Sequence, residues 1–243
     1  MSYKPILFST NMVKAILENR KSVTRRVIKP QPPTEFEGSK LELVKCEHPD
    51  FIRFENKTAM WTHKLPYKPG YILWVRETTY LFGKWVRNGV TRTGKQKYKF
   101  VWDKSKPVIY AADGKPDYIC KDKNEVGYFK RPSIFMPREA ARISHNVKNI
   151  RVERIQDITA EDARAEGISE TDVLKAYNAI FKHKGGFADN VASRELTKLF
   201  GTDNEYIYEF RNLWNSINAK RGYGWDANPF VWVIEFERCE VTQ

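Results

Sequence analysis

With 243 residues, 41% of them hydrophobic and 14% aromatic, and no low-complexity tract, the chain can bury a proper core and reads as a folded globular protein. No window approaches the about 18 apolar residues of a membrane helix, so the sequence points away from a membrane span and toward the cytoplasm. The formal charge of +12 favours polyanionic partners, nucleic acid first among them, because excess Lys and Arg attract phosphate and speed its capture.

Ser9 and Thr10 are N-cap residues for a short helix to about Glu18, with Met12, Ala15 and Ile16 on its apolar face. Asn19 ends it, since asparagine tolerates the left-handed backbone of a helix terminus. The octet Asn19 to Arg26 then packs four cations and two hydroxyls together, with no acid between Glu18 and Glu35. A lysine whose charge is disfavoured by its surroundings can take a hydroxyl proton, so Lys21 and Thr24 form a candidate base and nucleophile. The alternative is a basic loop with no chemistry.

Pro30 to Pro33 stops regular structure, and residues 34–64 read as an irregular insertion with room for a hairpin. Lys68-Pro-Gly70 is a turn before the apolar strand 71–75. Asn88-Gly89, Thr93-Gly94 and Asp113-Gly114 punctuate one or two hairpins over 83–112. A strand is expected within 145–155, a helix capped by Thr159 up to Glu166 and closed by Gly167, and another over 171–182. Tyr206, Phe210, Leu213, Trp214 and Ile217 recur at helical spacing over 205–218, and Phe230 to Phe236 has the composition of a central strand. The pattern is α+β: one elaborated domain, with insertions at about 32–64, 82–131 and 183–204.

Cys46, Cys120 and Cys239 are odd in number and far apart, which argues for reduced thiols. Cys46-Glu47-His48 lacks a second pair of ligands, so no metal site is expected. Gly185-Gly186 reads as a turn without phosphate-loop context, and Arg221 to Trp225 as either a loop over a pocket or a structural cap.

Four segments taken in order resemble the ASCH family, a small β-barrel group related to the PUA fold and associated with RNA metabolism. The family signature Gly-x-Lys-x-x-Glu-x-Arg falls on Asn19, Lys21, Thr24 and Arg26, matching at the lysine and the arginine. Threonine in place of the signature's glutamate, three residues after the lysine, is shared with one subgroup, the N4-acetylcytidine amidohydrolases. Lys68 to Val75, Asp157 to Glu166 and Val233 to Phe236 look like that subgroup's glycine turn and strand, late helix and last strand. The longer elaborations, Arg131 to Pro137 and Lys220 to Pro229, look more like ASCH proteins of bacteriophages.

The resemblance implies a PUA-like barrel and a catalytic set of Lys21, Thr24 and Glu166, acting on an N-acyl amide of a modified nucleoside, with no cofactor. Thr24 would attack, neutral Lys21 would accept its proton, and Arg26 would orient a base or phosphate through its planar fork. In a regular strand Lys21 and Thr24 point to opposite faces, so their convergence requires a bend near Ser22. Glu166 faces the unfavourable end of its helix dipole, which a functional role or a salt bridge to Arg164 or another nearby cation explains equally. Arg76 and Glu77, at a strand end, are candidates to line the cleft or to pair with each other.

A second reading is a non-catalytic module that grips RNA or DNA. Lys84, Arg87, Arg92, Lys95, Lys97 and Lys99 interleave with Trp85, Tyr98, Phe100 and Trp102, and Arg20 and Arg25 add to the basic surface. An amphipathic hairpin with its rings turned inward explains the same pattern. A third reading, a ribonuclease, lacks the acidic cluster that a two-metal mechanism needs.

Overall fold

The computed structural model describes residues 2–33, 42–45, 51–55, 60–175 and 204–240. Strands and helices mix along the chain, giving the α+β class, and the described strands form open sheets; no closed barrel is found among them. The chain divides into two units, the first drawn mainly from residues 15–71 and 146–237 and the second from 2–14, 72–145 and 238–243.

In the first unit, strand β2 (Val23–Val27) runs antiparallel to β12 (Phe230–Cys239), which in turn neighbours β11 (Ser144–Arg154). The register sets Val23, Arg25 and Val27 opposite Glu235, Val233 and Val231 on one face, and Thr24 and Arg26 opposite Ile234 and Trp232 on the other. The first face carries the core: Val23, Val231 and Val233 pack with Ala160 and Ala163 of helix α2 (Ala160–Ala165) and with Tyr206, Phe210 and Trp214 of helix α3 (Asn204–Asn218). Those three rings recur at four-residue steps, so one stripe of α3 meets the sheet.

The insertion after Pro33 contains a small antiparallel sheet in the order β3 (Glu42–Lys45), β4 (Phe51–Glu55), β5 (Met60–Lys64). From β5, the His63 ring meets Trp232 at 5.6 Å with the planes tilted by 59°, on the Thr24 side of the main sheet. The segment 221–225 is a structural cap: Trp214 Nε1 donates to Tyr223 O at 2.8 Å and Trp225 N donates to Asn215 Oδ1 at 2.7 Å. Residues 170–175 begin the helix expected over 171–182. The rest of that helix, the insertion read over 183–204 up to residue 203, with Gly185-Gly186, and Cys46-Glu47-His48 lie outside the described residues.

In the second unit, β1 (Tyr3–Leu7) pairs in parallel with β6 (Ile72–Arg76), and Ile6, Leu73 and Val75 are buried. Strand β7 (Thr79–Val90) forms the hairpin expected around Asn88-Gly89 and Thr93-Gly94 with β8 (Gln96–Trp102); β9 (Ile109–Tyr110) and β10 (Val126–Arg131) also pair with β7. The insertion read over 82–131 is therefore largely sheet.

Helix α1 (Thr10–Leu17) begins in the second unit and ends in the first. It buries Val13, Ala15 and Ile16, while Met12 stays partly exposed, one position off the expected face. Among the described residues no helix is long and apolar enough to cross a membrane.

Gly83 is required by the closeness of β7 to β8. A Cβ there would lie 2.2 Å from the backbone oxygen of Val101 and 2.8 Å from the Phe100 ring. Gly83→Ala is expected to cost about 2–3 kcal/mol, as overpacking against backbone does. A urea midpoint unchanged from wild type would contradict that close approach.

Candidate functional site

The helix-to-strand junction is built by backbone chemistry before any side chain acts. Asn19 takes the left-handed conformation (φ 57°), which turns the chain so that Arg20 N and Lys21 N both donate to Ala15 O, at 2.8 and 3.1 Å. Lys21 then pairs with Glu166 as an isolated antiparallel bridge, Ser22 N donates to Ala165 O at 2.9 Å, and β2 starts only at Val23. This break at Ser22 frees Lys21 from the alternation of the strand. Its side chain curls back so that Nζ donates to Val23 O.

Lys21 Nζ meets three acceptors: Glu166 Oε2 at 2.6 Å, Glu166 O at 2.8 Å and Val23 O at 2.8 Å. An ammonium has three protons, and each has a receiver. The side chain is wholly buried, as is nearly all of Glu166 (4% exposed). Burial pulls the Lys21 pKa below the ordinary 10.5, and Arg26 and Arg25 add to that pull, while Glu166 opposes it.

Glu166 caps the C-terminus of α2, with its N–H bonded to Asp162 O at 2.8 Å. The carboxylate at this end of the dipole is balanced by Lys21; Arg164 lies over the Tyr206 ring at 4.0 Å. Gly167 lets the chain leave the helix at φ +102°, where a Cβ would stand 2.8 Å from Ala15 Cβ and 3.3 Å from Lys21 Cβ. Arg20 Nη1 donates to Gly167 O and its other nitrogens to Glu18 at 2.5–2.8 Å, closing the junction from outside.

Arg25 points to the core face and corrects its reading as a nucleic-acid contact. None of its side chain is exposed: it pairs with Asp162 at 2.5 Å and Glu153 at 3.0 Å, with Glu166 Oε1 at 3.6 Å, and lies 5.9 Å from the Phe210 ring centre. Arg151 joins the same network through Glu153, Glu235 and, at 2.8 Å, Asp162. The sequence reading missed these partners, although Arg151 and Glu153 two apart on a strand, and Glu235 on the next, were a period-2 signal for one shared face.

Thr24 and Arg26 share the other face. Thr24 is 2% exposed. Arg26 is held close to both Lys21 and Glu166 electrostatically and to the Tyr67 phenol; burial lowers the Arg26 pKa and raises that of Tyr67. Tyr67, just after Pro66, was not singled out from sequence and had no signal beyond its turn.

Arg76 and Glu77 belong to the second unit and do not pair with each other. Glu77 is clamped by Arg142 at 2.9 and 3.0 Å, and Arg76 donates to Ile134 O and lies over Trp74. Of the hairpin residues, Lys84, Arg87, Arg92, Lys95, Lys97 and Lys99 are exposed. The register, however, puts Trp85, Arg87, Tyr98 and Phe100 on one face and Lys84, Lys97 and Lys99 on the other. The rings are already packed: Trp85, Phe100 and Phe129 meet at 5.3–6.2 Å, and Arg131 sits 4.7 Å over Phe100 and 4.9 Å over Trp85. Lysines and rings are therefore segregated, which is the amphipathic-hairpin alternative rather than the interleaved surface.

No group of His, Cys, Asp and Glu among the described residues has the arrangement of a metal site. Comparisons with protein-family models, with curated proteins and with solved structures give no match to this chain.

Two substitutions test the junction. Arg25→Ala leaves Glu166, Glu153 and Asp162 short of a buried cation and is expected to cost about 3 kcal/mol, the low end for a broken buried pair because Arg151 still holds two of the acids. Gly167→Ala meets both a left-handed backbone and the Ala15 contact, for a loss of about 2 kcal/mol or more. Chemical denaturation reads both, and wild-type stability in either variant would refute the stated contacts.

Proposed function

We propose that the chain is a hydrolase of the PUA-like ASCH type that cleaves an N-acyl amide on a modified base such as N4-acetylcytidine. The observation that carries this reading is the buried Lys21–Glu166 pair at the root of the strand that holds Thr24. A lysine kept dry, with its pKa lowered by burial, is a chemical requirement for a neutral amine base near physiological pH.

In the proposed reaction the Thr24 hydroxyl attacks the acyl carbonyl and gives its proton to neutral Lys21. The resulting ammonium, held by Glu166, returns that proton to the leaving amine nitrogen, so the C–N bond breaks and an acyl-threonine ester forms. Water then hydrolyses the ester, and the acid leaves. Arg26, on the same sheet face as Thr24, supplies positive charge for the developing oxyanion. Thr24 is buried, so substrate reaches it only when a covering neighbour moves aside.

Acetate release from N4-acetylcytidine, offered as nucleoside and within RNA and DNA, is expected for the wild type and to fall by at least about a hundredfold in Lys21→Ala and Thr24→Ala. Equal release by all three proteins would remove the assigned roles. The pH profile supplies a separate test. Activity rises as Lys21 loses its proton, with a midpoint below 10.5. Because Glu166 raises that pKa, the midpoint moves to lower pH in Glu166→Gln; a move upward would contradict the pairing.

A second reading, a module that grips RNA or DNA without cleaving anything, is favoured by the exposed cations of the β7–β8 hairpin and the charge of +12. It predicts affinity that falls steeply with salt and weakens when Lys95, Lys97 and Lys99 are neutralised together. Salt-independent binding in a gel-shift titration would count against it.

A further inference from the structure

The second unit contains a cleft of about 820 Å³ that shares no residue with the Lys21 site. Its floor is the outer face of the β1–β6 pair. Leu73 and Val75 turn inward and are buried, so Trp74 between them faces out into the cleft, with Tyr3 on the neighbouring strand; Arg76 lies 5.4 Å over the indole, which leaves the ring's other side for a ligand. Arg138, at the start of a short helical turn after Pro137, lies 4.0 Å over the Tyr3 ring, which fixes the direction of its guanidinium. Arg238 lines the wall near the C-terminal end of β12.

The charges around this cleft differ in what they have left to give. Arg142 is spent, donating to both Glu77 and Asp113 and lying 3.9 Å over Tyr110. Arg138 and Arg238 form no ion pair among the described residues. Of the wall carboxylates, Glu139 is paired with Lys104, which leaves Glu240 against the two arginines. An excess of one positive charge beside an outward tryptophan suits a ligand that joins a planar ring to an anion. The buried Ser144 hydroxyl adds a polar group to the lining. The volume lies within the about 300–1,000 Å³ of small-molecule sites.

We propose that this cleft binds a nucleoside phosphate, with the base against Trp74 and the phosphate between Arg138 and Arg238. Guanidinium forks match phosphate oxygens, and an indole face accepts any base, so the site selects for the nucleotide rather than for one base. The ligand is a free mononucleotide or one nucleotide of a single strand; the chemistry is the same. The assignment stands independently of whether Lys21 and Thr24 hydrolyse an amide.

Calorimetric titration at low salt tests it, with AMP, CMP, adenosine, inorganic phosphate and a short single-stranded oligonucleotide as probes. The full chain is compared with Arg138→Ala/Arg238→Ala, with Trp74→Leu and with Thr24→Val; both arginines are exposed, so the double variant is expected to fold, and circular dichroism checks it. The proposal expects the two mononucleotides to bind, adenosine to bind at least about tenfold more weakly, and both cleft variants to lose about tenfold or more, while Thr24→Val binds like wild type. If the oligonucleotide displaces AMP, the ligand is part of a strand; if it binds without displacing AMP, or fails to bind, the ligand is the free nucleotide. Absence of binding by every nucleotide probe overturns the proposal. So does binding that ignores the loss of both arginines, or phosphate alone binding as tightly as AMP. Loss of binding in Thr24→Val would move the site to the Lys21 face and overturn it equally.

Discussion

An ammonium buried without water has to be surrounded, and the arrangement around Lys21 follows from that demand. Stripping its hydration costs several kcal/mol, which only a full set of acceptors and a close counter-charge offset. Glu166 supplies two of the acceptors, one from its side chain and one from its backbone, and the break in the chain at Ser22 supplies the third by leaving Val23 O within reach. The left-handed Asn19, the bridge to the end of α2 and the bare Cα of Gly167 are the backbone conditions for that geometry. Arg25 and Arg151 then pair with Glu153, Asp162 and Glu235 beside it, so two guanidinium groups are shared among three carboxylates around the buried pair.

Much of the element order was legible because it rests on local chemistry. Thr159 accepts from Asp162 N at 3.2 Å as a capping threonine should, Asn19 ends α1, and the strands at 72–76, 144–154 and 230–239 coincide with their apolar runs within one to three residues. The meeting of Lys21 with Glu166 was expected only through the likeness of two distant helices, since no local pattern links residues so far apart in sequence. What stayed hidden was parity. Whether Arg25 faces the core or solvent depends on where β2 begins, and one residue decides it. The same holds for α1, whose buried stripe uses Val13, where Met12 looked equally apolar.

The β7–β8 hairpin shows how composition misleads when faces are not assigned. Six cations and several rings within 84–102 suggest a mixed surface, yet alternation sends Lys84, Lys97 and Lys99 one way and Trp85, Phe100 and Tyr98 the other. Arg131 and Lys123 come from elsewhere to cover the rings, Lys123 at 4.4 Å over Tyr98. The rings serve packing, and Lys97 and Lys99 keep the β8 edge charged, which guards against edge-to-edge pairing.

Strand β2 carries two unrelated duties on its two faces: Val23 and Arg25 hold the helices, while Thr24 and Arg26 stand on the opposite side. Deleting a single residue between Asn19 and Val23 would exchange those faces, putting a threonine into the hydrophobic core and an uncompensated guanidinium where a hydroxyl stood. The segment is a loop by appearance, but its length is as constrained as a core side chain. Over evolutionary time it should tolerate changes of residue far more readily than changes of spacing.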